Sequence, residues 1–361
     1  MIKIIDRYFL KQFIQSFIFG LIAFTSFFAV IDMMENLDDF IDQNVSSDII
    51  FQYYMVFIPE IIRLMTPVAV LLSCLFTVGR MATQNELTAI KSSGVSIYRI
   101  MTSFLVIGFT VSIISVGFGG YIVPMANKHK VFIEQNYMKK DVVSLGRNIF
   151  FQDSKTRIVS IVSYSVDIDQ ATRISIQEFD EKDITKMISR IDAERMKYDT
   201  LENSWQLING VKRNFTDSTE SAKYFDTLSI NYLNFNPADV IKKQRKPEEM
   251  TLTELDEFAT EQLRAGNDPT RIYIEYHSKI AFSFASLIVV LFGVPMSANK
   301  RKGGIALQFG ISLLFTFIYL SFMQISQAFG KNGVLNPFLT AWFSNFFFLI
   351  VAVINIYKVG K

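Results

Sequence analysis

The stretch TQNELTAIKSSGVS, residues 83–96, has the pattern of a short helix in water, although long apolar segments lie on both sides of it. Thr83, with Glu86 three residues later, matches a capping box, and Gly94 is of a residue type that commonly ends helices. The sequence therefore predicts a helix over about residues 83–94. The apolar segments on both sides of this helix are suited to lipid. The side of the membrane on which the helix lies therefore sets the topology of the rest of the chain.

The composition indicates an integral membrane protein with a soluble portion. Hydrophobic residues make up 50% of the 361 residues and charged residues 19%, compared with about 25% in soluble domains. The net charge of +2 provides no strongly basic surface, so nucleic acid is not an expected partner. The single cysteine, Cys74, excludes an intramolecular disulfide.

Six apolar segments are long enough to cross a membrane, which takes about 20 residues for about 30 Å of hydrocarbon. We expect the first to be a retained span, because it is longer than the roughly 7–15 apolar residues of a signal peptide. The predicted spans are roughly residues 12–34, 53–78, 100–124, 272–298, 305–329 and 337–357.

The distribution of basic residues predicts the orientation. Lysine and arginine occur in both terminal tails and in loops 79–99 and 299–304, whereas loop 32–50 carries six carboxylates and no basic residue. Since basic loops stay on the cytoplasmic side, we expect both termini and residues 83–96 to be cytoplasmic. Residues 127–270 then lie outside the cytoplasmic membrane.

A helix as short as 83–94 is marginal in water, so its apolar face needs a cover. Leu87 and Ile90 lie on that face. They either rest on lipid headgroups and the ends of neighbouring spans, or they insert into a cytoplasmic partner whose movement they transmit. The pattern alone leaves both alternatives open.

The segment between the third and fourth spans has a different texture. Runs such as RIVSIVSY (157–164) and YFDTLSINYLNF (224–235) alternate β-branched or aromatic residues with polar ones. This period of two predicts an all-β, jelly-roll-like domain over residues 127–250, inserted between helices 3 and 4 of a six-helix membrane protein. Trp205 is expected to fill its core.

A connecting helix is predicted after the β domain. Thr251 and Glu254 match a capping box, and Gly266 is expected to end the helix. The predicted domains are residues 1–126 with three spans, 127–250 with the sheet, 251–271 with the connecting helix, and 272–361 with the last three spans.

Charged residues inside the spans are candidates for pairing or function. A lone cation in hydrocarbon is costly, which singles out Arg63 in the second span. Glu60, three residues earlier, is expected to pair with it, and a pair that opens is compatible with phosphate recognition by Arg63. Glu275 and Lys279 are spaced for a further structural pair at the start of the fourth span.

Motifs for catalysis, metal binding and nucleotide binding are missing from the sequence. The chain has no G-x-x-x-x-G-K-[ST], no H-E-x-x-H and no G-x-S-x-G, and His129 and His277 are far apart. We therefore expect no catalytic residue, no metal and no cofactor in this chain, and a role that is not enzymatic.

Four stretches resemble the LptF/LptG lipopolysaccharide-export permeases, and together they span nearly the whole chain. They are IIDRYFLKQFIQSF (4–17), VGRMATQNELTAIKSSGVSIYR (78–99), EYHSKIAFSFASLIVVLFGVPMSANKRKGG (275–304) and GVLNPFLTAWFSNFFF (333–348). The β insert resembles the family mainly in its placement and texture.

This resemblance implies a permease subunit of the bacterial inner membrane that pairs with a paralogous subunit or a second copy. It implies a dimeric cytoplasmic ABC ATPase that uses ATP and Mg, and a periplasmic β-jellyroll bridge that receives the lipopolysaccharide. Glu86 occupies the position of the acidic residue in the family's coupling helix. Leu87, Ile90 and Gly94 belong to the same ATPase-coupling segment.

The substrate implied by the resemblance carries acyl chains and phosphates, so its cavity needs apolar walls and cations near the outer rim. The candidate substrate-binding residues are Arg63, Lys128 and Lys130. Asp32 and Glu35 stand where family members often carry cations. Either the partner subunit supplies the basic contacts there, or divalent cations bridge carboxylate and phosphate.

The sequence leaves two alternatives to the function of an export permease. A non-transporting scaffold that anchors periplasmic proteins would need neither a coupling helix nor an arginine within a span. A membrane-embedded lipid hydrolase would use Glu60, Arg63 and His277, although these residues lack the spacing of a nucleophile and its base.

Overall fold

The computed structural model describes residues 4–138, 149–165, 169–200, 202–216, 219–237, 239–240, 246–264, 268–298, 304–333 and 335–359. Contacts divide the chain into two units. The helical unit comprises residues up to 140, 251–256 and 270–361, and the sheet unit comprises residues 141–250 and 257–269.

Helices occur on both sides of the sheet in chain order. Before it lie α1 (Ile4–Glu35), α2 (Leu37–Asp42), α3 (Ser47–Thr83), α4 (Glu86–Ser92), α5 (Ile97–Gly117), a π-helical turn (Phe118–Ile122) and α6 (Val123–Asn136). After it lie α7 (Leu252–Arg264), α8 (Thr270–Ser283), α9 (Ala285–Ala298), α10 (Gly304–Lys331) and α11 (Pro337–Val359).

Five helical segments of the described chain are long and apolar enough to cross a membrane. They are Ile4–Glu35, Ser47–Thr83, Tyr98–Asn136, Thr270–Pro295 and Pro337–Ile354. The segment predicted as the fifth span forms α10, a helix of 28 residues. Spans at five of the six predicted places are therefore supported, and the count of six stays a prediction.

The α3 helix is the centre of the helical unit, where it packs against α1, α6 and α9. Its residues 68–72 are all at most 4% exposed. Gly293 of α9 makes the close approach possible, because a Cβ atom there would lie 2.9 Å from Cys74 Cβ and from Leu71 Cδ1. Small residues at such contacts let spanning helices pack closely without a hydrophobic driving force.

The third spanning segment continues well beyond its predicted end at residue 124. The π-helical turn Phe118–Ile122 links α5 to α6, and Pro124 lies in the first turn of α6. Proline cannot donate the i→i−4 hydrogen bond, and its ring crowds the preceding turn. A helix start tolerates proline, so the helix resumes and continues to Asn136.

The sheet unit contains an antiparallel sheet in which each strand pairs with its neighbours in the chain, in the order β1-β2-β3-β4-β5-β6. The strands are β1 (Ile149–Ser154), β2 (Arg157–Ser165), β3 (Gln170–Phe179), β4 (Met187–Asp199), β5 (Ser204–Thr216) and β6 (Thr219–Ile230). The prediction of an all-β insert is confirmed, and the structure shows that its strands pair antiparallel. The jelly roll is not, because that fold needs eight strands in two Greek keys, whereas the described strands form a simple meander.

Two rows of paired residues cross strands β2 to β6. In each of these five strands the two rows are separated by two residues instead of one. One row is Ile161, Ile174, Ala193, Gly210 and Phe225, and the other is Tyr164, Ala171, Met196, Leu207 and Leu228. Arg173 and Asn209, which lie between the rows, have left-handed backbones with φ of 51° and 55°. These bulge-like breaks keep both rows on the core face, which strict alternation would not do.

Trp205 fills the core of the sheet unit, as predicted from the sequence. It is 1% exposed, and its indole Nε1 donates a hydrogen bond of 2.8 Å to the carbonyl oxygen of Phe235. Its ring meets that of Tyr198 at 4.9 Å between centroids. The hydrogen bond satisfies the one polar atom of a side chain that is otherwise buried among apolar residues.

Candidate functional site

The short helix α4 begins later than predicted. Thr83 is the last residue of α3, and its hydroxyl donates to the carbonyl oxygen of Arg80 at 2.8 Å. Asn85, with a left-handed φ of 59°, precedes the helix and makes no side-chain capping bond. The predicted capping box of Thr83 and Glu86 is therefore wrong, because Thr83 is itself a helical residue of α3 and Asn85 holds the N-cap position of α4.

The end of α4 is where Gly94 was predicted to place it. Gly94 has a φ of 88°, which glycine adopts without a steric penalty. Its N–H donates to the carbonyl of Lys91 at 3.0 Å, and the N–H of Val95 donates to that of Ile90 at 3.3 Å. These two bonds form a Schellman motif, which satisfies carbonyls left free at the helix end.

The apolar face of α4 is covered by the chain itself. Leu87 is 3% exposed and belongs to the same apolar cluster as Met81 of α3 and Ile100 of α5. Ile90 packs partly against this cluster. Leu87 is therefore an anchor that fixes α4 to the helical unit, and it is not available to insert into a partner.

Three polar contacts tie the start of α1 to α4 and to the start of α5. The hydroxyl of Tyr8 donates to Glu86 Oε2 at 2.8 Å. Arg99 Nη2 lies 2.7 Å from Asp6 Oδ2, and Ser103 Oγ donates to Asp6 Oδ1 at 2.6 Å. The sequence analysis missed Asp6 and Tyr8, because their partners are 78 to 97 residues away and no local pattern joins them.

The structure brings Arg63 and Glu60 together, with 2.6 Å between Arg63 Nη2 and Glu60 Oε1. The guanidinium also lies 5.4 Å from the ring centroid of Phe282, within the range of a cation–π contact. Asn127 Nδ2 donates to Glu60 Oε2 at 3.4 Å. Gly119 of the π-helical turn leaves space for the arginine, because a Cβ atom there would be 3.2 Å from Arg63 Cδ.

Spare polar atoms remain at this cluster. Arg63 Nε and Asn127 Oδ1 are buried, and neither has a hydrogen-bond partner among the described residues. Buried polar atoms are normally satisfied, so this donor and this acceptor are atoms that a further polar group would satisfy.

The other two candidate cations are also paired with carboxylates. Lys128 Nζ lies 2.7 Å from Glu254 Oε1. Lys130 Nζ lies 3.5 Å from Glu134 Oε1 and 4.2 Å from the ring centroid of Phe57. The cations are therefore held by the chain's own acids, and a phosphate would have to compete with them.

The capping box predicted at Thr251 and Glu254 is confirmed. The N–H of Thr251 donates to Glu254 Oε2 at 2.8 Å, and the N–H of Glu254 donates to Thr251 Oγ1 at 3.3 Å. Partial burial disfavours the ionised carboxylate, but the hydrogen bonds from Lys128 and Thr251 outweigh it and lower the pKa of Glu254 to about 2. The predicted helix end at Gly266 lies outside the described residues.

The remaining candidates lie in α8. Glu275 and Lys279 are one turn apart and Lys279 is 5% exposed, while their pairing stays a prediction. His277 packs edge-on against the rings of Tyr276 and Phe338. Among the residues that the structure describes, no three His, Cys, Asp or Glu side chains are grouped to hold a metal ion.

These features define a class of protein: a multi-span helical membrane protein with an antiparallel sheet inserted into the chain and an ion pair within a spanning helix. The family model described as lipopolysaccharide export system permease LptF/LptG matches residues 7–358. The chain belongs to this family.

The relatives of this chain agree with that membership. It is 20% identical to proteins named lipopolysaccharide export system permease protein LptF from Escherichia coli strain K12 and from Shigella flexneri. Each alignment covers 97% of this chain and 94% of the relative. The chain is thus a transporter component of the inner membrane in the lipopolysaccharide-export class.

The low pKa of Glu254 predicts a pH dependence of stability. Glutamate in an unfolded chain titrates at about 4.3, so the ionised carboxylate stabilises the folded chain fully above about pH 5. This contribution is lost as the pH falls through about 2. We expect the difference in Tm between the wild type and Glu254→Gln, measured in detergent, to be constant from pH 7 to about 5 and to shrink below it.

Glu257→Gln is the matched control, because Glu257 is an exposed acid on the same helix. Its Tm should stay close to that of the wild type throughout this pH range. A Glu254→Gln difference that is unchanged at about pH 2, or that grows with acid, would contradict the assigned pKa.

Proposed function

We propose that this chain is a permease subunit of an ABC-type exporter. The exporter extracts lipopolysaccharide from the inner membrane and passes it to a periplasmic bridge of β-fold. The chain works with a paralogous subunit or a second copy, and a separate cytoplasmic ATPase dimer uses ATP and Mg. Family membership supports this proposal, and the lack of a phosphate-binding loop motif in the sequence fits an ATPase supplied by a partner.

The orientation is part of the proposal. Both termini and α4 are cytoplasmic, and the sheet unit is periplasmic. The basic tails and loops and the acidic loop 32–50 support this arrangement through the positive-inside rule.

The observation that carries the proposal is that α4 is fixed to the spanning helices while it presents Glu86 beside an exposed surface. Leu87 anchors α4 in the core between α3 and α5. Thr88, Ala89 and Lys91 are exposed around it. A force that an ATPase applies at Glu86 would therefore move α3 and α5 directly, since α4 cannot yield independently of its anchor.

The substrate contacts that we propose are Arg63, Lys128 and Lys130. A lipid phosphate offers more acceptor oxygens than one carboxylate, and it can replace Glu60 at the guanidinium. The spare Nε of Arg63 supports this, because it gives the guanidinium a donor beyond those that Glu60 occupies.

A strand edge is the proposed contact with the periplasmic bridge. Within the described strands, β1 and β6 are the two edges of the sheet. Unpaired N–H and C=O groups at an edge accept an added strand, which would continue the sheet into a partner of similar fold.

Glu86→Arg tests the coupling role in the reconstituted complex. Loss of a hydrogen bond to a charged group costs about 1.5–3 kcal/mol, so we expect roughly 10- to 100-fold weaker ATPase binding and loss of lipopolysaccharide-stimulated ATPase activity. Tyr8→Phe is the control, because it removes the bond within the chain and keeps the carboxylate.

The control variant should couple nearly as well as the wild type. Wild-type coupling and transport by Glu86→Arg would reject the role of Glu86. If no ATPase copurifies with the wild-type chain, the scaffold function would be the better explanation.

The role of Arg63 in phosphate binding is tested with two variants, of which the first removes the charge of Arg63 and the second also removes that of Glu60. Arg63→Gln should reduce lipopolysaccharide crosslinking and export severalfold while the complex still assembles, as judged by copurification. The double variant Glu60→Gln/Arg63→Gln removes the carboxylate that the single variant leaves unpaired. If Arg63 binds phosphate, the double variant stays defective, whereas recovery of export would show that the arginine only neutralises Glu60.

A further inference from the structure

A clasp joins the first turn of α7 to α6 and the π-helical turn, and we infer that Glu254 is its positioning residue. The clasp consists of Lys128, Glu254, Thr251, Leu252 and Gly120. An anionic headgroup that takes Lys128 would open it and release the start of α7. The opening step rests on the proposed function, whereas the clasp itself rests on contacts within the helical unit.

The carboxylate of Glu254 does two things at once. Its Oε1 holds Lys128 Nζ at 2.7 Å, while its Oε2 accepts bonds from the N–H of Thr251 at 2.8 Å and from Thr251 Oγ1 at 3.0 Å. The same group therefore starts α7 and attaches it to α6. A change at Lys128 therefore alters the carboxylate that caps the N-terminus of α7.

A steric contact fixes the position of the same turn. Leu252 is 7% exposed and lies against Gly120 of the π-helical turn. A Cβ atom on Gly120 would be 2.5 Å from Leu252 Cδ1 and 2.9 Å from its Cγ. Only glycine leaves this space, so the π-helical turn provides a notch into which the leucine fits.

The charged part of the clasp is accessible to a competitor. The side chains of Lys128 and Glu254 are 28% and 29% exposed, whereas Leu252, the apolar side chain of the clasp, is 7% exposed. The apolar part therefore stays closed while the ion pair remains open to exchange its partner. A phosphorylated headgroup is the type of ligand that competes best with the Glu254 carboxylate for the Lys128 ammonium group.

Hydrogen exchange of the full-length protein in nanodiscs tests the clasp without ATPase or transport. Loss of a charge-assisted hydrogen bond at a cap should accelerate exchange of amides 252–260 about tenfold in Lys128→Glu. The charge swap Lys128→Glu/Glu254→Lys restores the ion pair but not the cap, so exchange should recover in part. Glu257→Lys, which makes the same charge reversal as Glu254→Lys but at an exposed position of α7, should change exchange less than twofold.

The notch is tested by a second pair of variants. Gly120→Ala should accelerate the same amides, because the added Cβ displaces Leu252. Gly120→Ala/Leu252→Ala should exchange more slowly than Gly120→Ala, since the shorter side chain makes room for that Cβ. Wild-type exchange in both Lys128→Glu and Gly120→Ala, or no recovery in either double variant, would overturn the clasp.

The opening step is tested with the wild type in four nanodisc compositions. Nanodiscs that contain lipopolysaccharide should accelerate exchange at 252–260 severalfold over neutral lipid, and dephosphorylated lipopolysaccharide should not. Equal acceleration by phosphatidylglycerol would assign the opening to any phosphorylated headgroup of the membrane. No acceleration in any composition would overturn the opening step, while the proposed export function is decided separately by Glu86→Arg.

Discussion

Hydrocarbon offers no hydrogen-bond partner, so a polar group in a spanning helix is costly unless it finds a partner within the protein, and the helical unit depends on this constraint. Arg63 meets it through Glu60. Asn345 meets it by accepting from the Tyr319 hydroxyl at 2.6 Å and donating to the carbonyl of Ala281 at 2.7 Å. These bonds join α10 and α11 to α8, where apolar packing alone would permit neighbouring helices to slide.

The same need for a partner explains why the two short helices at the ends of spanning segments are well defined. Neither α4, with seven residues, nor the first turn of α7 would be stable alone. Leu87 anchors α4 in the core of the helical unit, and Leu252 anchors the first turn of α7 against Gly120. In each case an apolar side chain sets the position and a glutamate, Glu86 or Glu254, forms the polar link. The proposed coupling requires α4 to move with the spanning helices, and the closed clasp requires the same of the start of α7.

Sequence patterns predicted elements well where the cause is local. The capping box at Thr251 is correct because the chain before it is extended, with φ of −91° and ψ of 141° at Met250. The same pattern at Thr83 is wrong because α3 continues through that residue. The period of two in the sequence predicts the strands. It does not predict the extra residue between the two rows, because that extra residue depends on left-handed backbones such as that of Asn209.

Parts of the candidate site could not be predicted, because they depend on contacts between distant segments. Glu60 and Arg63 are one helical turn apart and were found from spacing alone. Lys128 and Glu254 are 126 residues apart. The sequence predicts Lys128 as a substrate-binding residue and Glu254 as part of a helix cap, and no pattern joins the two. The fold shows that the two residues meet.

The proposed export function requires α4 on the cytoplasmic side of the inner membrane and the strands on the periplasmic side. Labelling of Ala89→Cys and Tyr224→Cys with a membrane-impermeant maleimide tests it most directly, because Cys74 is 0% exposed and Tyr224 is 82% exposed. The account predicts that Tyr224→Cys reacts in cells whose outer membrane alone is permeabilised, and that Ala89→Cys reacts only after the inner membrane is opened. Reaction of both variants from the same side would contradict the account.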